Sequence, residues 1–180
     1  EAFIDKVLNG LTTPPGYFPQ NVLMNLQGYE HLDEVLARGN HPLTLAEFEK
    51  AIADDAVLIL DTRDAGDFAK GFIPGSINVG VNGNFAQWVG EMIPQVSQQL
   101  LLVTEPGDEK ESITRLSRVG YDGVIGYLNG GYPAWKSAGR PHDTITRINA
   151  EELEEKVAAG AIPLIDIRKK SEFNTECVKG

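Results

Sequence analysis

The sequence predicts an α/β fold with a central parallel sheet flanked by helices. Two observations carry this reading. Val57-Leu58-Ile59-Leu60 and Leu100-Leu101-Leu102-Val103 are unbroken apolar runs, the mark of strands buried on both faces. Helical patterns alternate with them along the chain, as parallel strands joined by helical crossovers require.

Residues 1–10 predict a short amphipathic helix, with Phe3, Ile4, Val7 and Leu8 at helical spacing and Gly10 as its C-cap. Thr12 to Pro19 holds three prolines and a glycine, which predicts an extended or turning segment that excludes helix. Asn21 to Asn40 is a mixed segment of weak periodicity. At Thr44 a capping box with Glu47 opens a helix through about Ala53. The strand at Val57–Leu60 follows, then a short helix over Ala65–Lys70 and a brief strand at Ile77–Val79. Asn84–Glu91 reads as helix, with Phe85, Trp88, Val89 and Met92 on one face. After the strand at 100–103 come a helix over Asp108–Val119, a strand over Gly123–Leu128 and a short helix over Pro133–Ala138.

Length bounds the answer to one domain or one and a fraction. Hydrophobic residues make up 42% and charged residues 23%, too apolar a balance for disorder. Sixteen Lys plus Arg against 26 Asp plus Glu give a net charge of −10, which argues against nucleic acid or an anionic membrane surface as partner. No apolar run approaches the roughly 20 residues of a membrane helix. One cysteine, Cys177, excludes an internal disulfide and any multi-cysteine metal site. A single thiol fits a reducing compartment, and a cytoplasmic location is expected. His31, His41 and His142 lie 10 and 101 positions apart with no His-x-His pair, so no metal ligand is assigned.

The chain repeats itself. Shifted by 105 residues, Thr44–Gly75 lies on Asn149–Gly180 without gaps, and 8 of 32 positions are identical, among them Asp61/Asp166, Arg63/Arg168 and Phe68/Phe173. The core positions Val57/Ile162, Ile59/Leu164, Leu60/Ile165 and Ile73/Val178 match in kind. A tandem unit of about 105 residues is expected, with its second copy reaching only its first strand and helix. A start at Glu1 without a leader pattern, and an end inside the repeat, lead to the expectation that the chain is a piece of a longer protein.

Leu60-Asp61-Thr62-Arg63, then Asp67-Phe68, then Gly71-Phe72-Ile73-Pro74-Gly75-Ser76-Ile77-Asn78 resembles the rhodanese family. The family's pattern there is Asp-x-Arg, Glu-Phe and Gly-His-Ile-Pro-Gly-Ala-Ile-Asn, from which this chain departs at Asp67, Phe72 and Ser76. Gly130-Gly131-Tyr132-Pro133-Ala134-Trp135 is similar to the family's closing Gly-Gly-x-x-x-Trp. The resemblance spans residues 42–143 and implies a central parallel sheet. The motif residues Asp61, Arg63, Phe68, Gly71, Pro74, Gly75 and Trp135 read as structural. Asp61 and Arg63 can pair or cap backbone, Pro74-Gly75 sets a turn, and Tyr132 and Trp135 pack.

The resemblance also implies sulfur transfer through a cysteine persulfide in the loop after the strand at 100–103, where helix-terminal amides hold an anionic sulfur. That stretch is here Glu105-Pro106-Gly107-Asp108-Glu109-Lys110-Glu111, with no thiol. Pro106 removes an amide donor, and the carboxylates of Asp108, Glu109 and Glu111 oppose an anion while suiting a helix start. A degenerate loop and a domain without sulfurtransferase activity are expected. Cys177 falls on Phe72 in the repeat, away from that loop, and reads as packing. A phosphatase-like use of the fold needs a loop cysteine and an arginine, and 105–112 offers neither.

Phe3-Ile4-x-x-Val7-Leu8, Pro14-Pro15-x-Tyr17-Phe18-Pro19-x-Asn21 and Asn25-x-x-Gly28 are similar to the tail of a metallo-β-lactamase-fold domain at its junction with rhodanese-like domains. Thr114-Arg115-Leu116-x-Arg118-Val119-Gly120-Tyr121 is similar to the cysteine-less first rhodanese domain of such fusions, persulfide dioxygenase-like proteins among them. The resemblance implies three parts: 1–41 a tail and linker, 42–143 an inactive rhodanese-like domain, and 144–180 the truncated start of a second repeat. It implies no cofactor here, with Zn or Fe in the N-terminal domain of the parent. The implied partners are that metallo-β-lactamase-fold domain and the second rhodanese domain, with a homo-oligomer as a further expectation. The function expected is interdomain packing or oligomerisation within a metal-dependent hydrolase or sulfur dioxygenase. The alternative is the supporting half of a tandem sulfurtransferase.

Overall fold

The apolar run at 100–103 becomes the middle of a five-stranded sheet. The structure, a computed structural model, describes residue 4, residues 17–160 and residues 163–178. The expected helix over 1–10 (Ile4 apart) and most of the turn over 12–19 lie outside the described residues. The chain divides into two units, Glu1–Ile145 and Thr146–Gly180.

In the first unit the strands are β1 (Pro42–Leu43), β2 (Val57–Asp61), β3 (Ile77–Asn78), β4 (Gln99–Val103) and β5 (Val124–Leu128). Their order is β1-β5-β4-β2-β3, and every pairing is parallel. The helices are α1 (Phe18–Gln27), α2 (Leu32–Gly39), α3 (Leu45–Ile52), α4 (Ala65–Lys70), α5 (Phe85–Met92), α6 (Glu109–Ser117) and α7 (Gly131–Ser137).

Alternate residues of the central strands feed two cores, which is why these strands read as continuous apolar runs. Leu60, Leu100, Leu102 and Val124 pack with Val35, Phe85, Val89, Ile113, Leu116 and Tyr121 on one face. Ile59, Leu101, Val103 and Leu128 pack with Phe48, Ile73, Tyr132 and Trp135 on the other. The capping box at the start of α3 is present: Glu47 N donates to Thr44 Oγ1 at 3.3 Å, and Thr44 N donates to Glu47 Oε2 at 2.8 Å.

Several sequence expectations need correction. The mixed segment 21–40 is two helices, α1 and α2. Phe18 and Pro19 belong to α1; Pro19 sits in its first turn, where a missing N–H costs nothing. Helix α5 buries Phe85, Val89 and, just beyond its end, Ile93, whereas Trp88 and Met92 face solvent. The stripe is thus i, i+4, i+8, rotated from the one the periodicity suggested. The short strand β1 against β5 carried no sequence signal beyond Pro42-Leu43 themselves.

The second unit contains α8 (Ala150–Ala158) and α9 (Lys170–Thr175). The capping box of α3 recurs at α8, where Glu152 N donates to Asn149 Oδ1 at 2.8 Å and Asn149 N to Glu152 Oε2 at 3.3 Å. The strand expected in the second copy does not form among the described residues; 163–169 lack strand pairing. A strand exists only with a ladder partner; β2 has two, β3 and β4, and no described residue pairs with 163–169.

Candidate functional site

In open α/β sheets, ligands meet the carboxyl ends of the strands. Here β2 ends in the motif Asp61-Thr62-Arg63 and β4 ends in the loop Thr104–Asp108.

Asp61 and Arg63 pair with each other. Arg63 is 4% exposed and Asp61 fully buried. Arg63 Nη2 donates to Asp61 Oδ2 at 2.6 Å, Nε donates to both carboxylate oxygens, and the Arg63 backbone N–H donates to Asp61 Oδ1 at 3.1 Å. Nη2 also donates to the carbonyl of Gly71 at 3.0 Å, and the guanidinium lies 4.4 Å from the centre of the Tyr132 ring. A buried ion pair of this kind persists where further hydrogen bonds hold it, here from Nη2 to the Gly71 carbonyl and from the Arg63 backbone N–H to the carboxylate. Asn78 Nδ2 closes the assembly from β3, donating to the carbonyls of Asp61 and Arg63.

The other motif residues support this knot. Gly71 is required by close approach, since a Cβ there would lie 2.0 Å from the Tyr132 hydroxyl. Pro74 and Gly75 form a turn in which Ser76 N donates to the Ile73 carbonyl at 3.1 Å and Gly75 has φ +82°. Phe68 stacks on Phe72 at 4.2 Å between ring centres. Trp135 is buried, meets Phe48 edge-on, and donates through Nε1 to the carbonyl of Pro141 at 2.7 Å.

The loop after β4 is closed on itself. Asp108 N donates to the Glu105 carbonyl at 3.1 Å, across a turn with Pro106 in its second place and Gly107 at φ +101° in its third. Gly107 N donates to Glu109 Oε2 at 2.9 Å. Pro106 has no N–H to give. Of three successive peptide groups that could face an anion, one lacks a donor, one is held by a carbonyl and one by a carboxylate. Glu105, Pro106, Gly107, Lys110 and Glu111 are exposed. The residue types anticipated a helix cap, but Asp108 makes no side-chain cap bond, and Glu109 takes that role by folding back on Gly107. Helix α6 runs Glu109–Ser117, shorter at each end than expected.

Three contacts were not anticipated. Thr62 Oγ1 and Ser112 Oγ share a buried hydrogen bond of 3.1 Å that ties β2 to α6. Arg115 Nε donates to Glu111 Oε1, and its Nη1 reaches the Val81 carbonyl, each at 2.7 Å. This partner holds the Glu111 carboxyl below its ordinary range. The i, i+4 spacing of Glu111 and Arg115 was a readable signal; the other two depend on tertiary approach.

Cys177 lies in the second unit, near Arg168 and Phe173, and outside the loop. Among the described residues no group of three or more His, Cys, Asp or Glu is placed to hold a metal, and no helix is long and apolar enough to cross a membrane.

The family model for the rhodanese-like domain matches residues 44–138. The chain belongs to the rhodanese-like family. That match brackets the knot and the loop, and leaves Cys177, the one cysteine, outside the rhodanese-like domain. No curated protein sequence matches the chain. Wild-type EanB has 17% identity and a TM-score of 0.52, over 77% of this chain and 35% of EanB. An EanB variant with ergothioneine covalently linked to a persulfide cysteine has 18% identity and a TM-score of 0.51, over 71% of this chain and 34% of that one. The Rhodanese_3-like domain of the Alr3790 protein from Anabaena sp. has 20% identity and a TM-score of 0.46, over 52% of this chain and 98% of that one. The EanB likenesses show the rhodanese-like fold.

Proposed function

We propose that residues 42–143 form a non-catalytic rhodanese-like domain, acting in interdomain packing or oligomerisation within a larger metallo-β-lactamase-fold hydrolase or persulfide dioxygenase-like protein. One observation carries the non-catalytic half. Where a rhodanese presents a thiolate within a ring of amides, this chain has Glu105, with the amides of Gly107 and Asp108 already engaged. Sulfur transfer needs a nucleophilic sulfur that can accept the sulfane atom and release it to an acceptor. No such sulfur stands in the rhodanese-like domain.

The larger setting is supported by the resemblance of residues 1–41 to a metallo-β-lactamase-fold tail. On this reading Zn or Fe is held by a domain preceding residue 1, the partners are that domain and a second rhodanese domain, and the location is cytoplasmic. The described residues supply no ligand cluster that fits a metal, so no step of the metal's chemistry is assigned to them.

The repeat favours a second reading, in which this unit supports a working sulfurtransferase repeat. Adding 105 to the position of Glu105 places that repeat's loop cysteine near position 210 of the parent.

The test is intact-mass analysis of the full chain carrying Cys177→Ser, so that the free thiol outside the domain takes no part, after incubation with a low-molecular-weight persulfide, followed by cyanide. No protein-bound sulfur that cyanide can remove is expected from residues 42–143. A cyanide-removable sulfur there contradicts the proposal. For the parent, bound Zn or Fe together with persulfide oxidation supports the first setting, and thiosulfate:cyanide turnover without metal supports the second.

A further inference from the structure

Helix α1 closes a cavity of about 340 Å³ against the end of α6 and the turn that leads into β5. Two contacts seat the helix there. The ring of Tyr17, just before it, packs on Gly90 of α5, where a Cβ would lie 2.1 Å from the Tyr17 Cδ1. Val96 N donates to Gln20 Oε1 at 3.3 Å. Asn21 and Met24 then line the cavity from α1, and Gly120 and Asp122 line it from the turn. Gly120 has φ +85°, and a Cβ on it would lie 2.7 Å from Asn21 Oδ1 and 3.0 Å from Met24 Sδ. A glycine at this place both allows the turn and keeps the wall open.

Four buried side-chain polar atoms among the described residues lack a hydrogen bond within the protein, and two of them, Asn21 Oδ1 and Asp122 Oδ1, belong to the lining of this cavity. Both are acceptors, and a buried acceptor without a donor is costly. The carboxylate oxygen carries the greater weight, because it accepts whichever way the group is turned. The neighbouring cations do not serve it. Arg38 gives its guanidinium N–H groups to Glu30 at 2.7 and 2.8 Å and to the backbone carbonyl of Asp122 at 2.7 Å. Arg118 also lines the cavity but is exposed, where solvent screens its charge. Among the described residues Glu30 is in an ion pair and Asp122 is in none. Tyr29 and Leu32 add apolar surface to the lining.

We infer that this cavity binds a small organic cation with a primary ammonium head, whose N–H groups donate to Asp122 Oδ1 and Asn21 Oδ1 and whose short apolar chain lies against Met24, Tyr29 and Leu32. A primary ammonium has three donors and no acceptor, which matches two acceptors that lack donors. Its charge answers the unpaired carboxylate, and charge-assisted bonds are roughly twice as strong as neutral ones. The volume, about 340 Å³, stands at the lower end of small-molecule sites and is roughly tenfold the share of one water, about 30 Å³, so a single bridging water does not account for it. The net charge of −10 favours the approach of a cation. The cavity is built at the C-terminal end of α6, whereas the loop over 104–108 precedes the start of that helix. The inference therefore stands or falls independently of the non-catalytic reading.

The probe is n-butylammonium, titrated as its chloride at constant ionic strength into the full 180-residue chain, with backbone amide shifts read by NMR. Saturable shifts at Gly120 and Asp122 are expected, with a dissociation constant in the millimolar range for a fragment of roughly five heavy atoms. Butyltrimethylammonium carries the same charge without an N–H and should bind about tenfold more weakly. So should n-butylammonium to Asp122→Asn, which keeps the shape of the side chain and removes its charge. The amides of Gly107 and Asp108 should not move. Shifts that never saturate overturn the inference, and so do equal affinities for the two cations. Undiminished binding to Asp122→Asn overturns it as well. The comparison of the two cations needs no variant, so it decides the matter even if Asp122→Asn fails to fold.

Discussion

The carboxylate of Asp61 is clasped by the guanidinium of Arg63 two residues later, with Nη2 2.6 Å from Oδ2 and both side chains out of water. The same guanidinium holds the Gly71 carbonyl and faces the Tyr132 ring, so one residue fixes the end of β2, the exit of α4 and the start of α7. We propose that its role in this domain is architectural.

Arg63→Ala leaves a buried carboxylate without its partner. A loss of about 3–5 kcal/mol is expected from urea unfolding of the first unit. Arg168→Ala removes the same bonds from an exposed pair, where solvent screens the charge, and should leave that unfolding midpoint where it was. Equal losses from the two substitutions would mean that burial does not set the strength of the knot.

Gly71 has φ +163°, an extended conformation open to any residue, so its constraint is steric alone. Gly71→Ala drives a methyl into Tyr132 and should cost about 1–3 kcal/mol. Adding Tyr132→Phe removes the nearest atom and should recover part of that loss, a coupling read from a double-mutant cycle. Strict additivity would place the strain elsewhere.

Tyr121 donates its hydroxyl to the Ile93 carbonyl in the core, and burial pushes its pKa up to about 12. The unfolded chain loses this proton near 10, the folded chain only near 12. Stability from this group is complete below pH 10 and is lost as the pH rises towards 12. Tyr121→Phe should flatten that stretch of the stability-against-pH curve while lowering stability at neutral pH. A curve of unchanged slope would contradict the assignment.

In the loop, Glu105→Cys restores a thiol but not its surroundings. The Gly107 amide stays with Glu109 and the Asp108 amide with the carbonyl of residue 105. The rate of iodoacetamide alkylation against pH should report a thiol pKa of about 8.5 or higher. Glu105→Cys with Glu109→Gln removes the competing carboxylate and should lower it. A low thiol pKa in the single variant would show that the loop still functions as an anion cradle.

The sheet was legible because Val57–Leu60 and Leu100–Val103 are apolar at every position, which only strands covered on both faces require. The capping box at Thr44 and Glu47 and the pairing of Asp61 with Arg63 are local, so spacing sufficed to read them. Helix α1 was hidden because its described residues bury nothing, leaving no apolar stripe for periodicity to find. On α5, Trp88 and Met92 suggested the wrong face, since large apolar residues at helical spacing do not reveal which of two stripes meets the core. The contact of Thr62 with Ser112, 50 positions apart, has no sequence signature. The loop's lack of a thiol was plain from the sequence; that Glu109 rather than Asp108 would take the free amide was not, because both carboxylates suit a helix start.

The central claim is that this rhodanese-like unit holds no sulfur-carrying site, and thiosulfate:cyanide turnover by the full chain tests it most directly. Thiocyanate formation should equal the protein-free background and stay there in Cys177→Ser. Turnover above background that persists in Cys177→Ser would show that the rhodanese-like unit itself transfers sulfur, and would overturn the account.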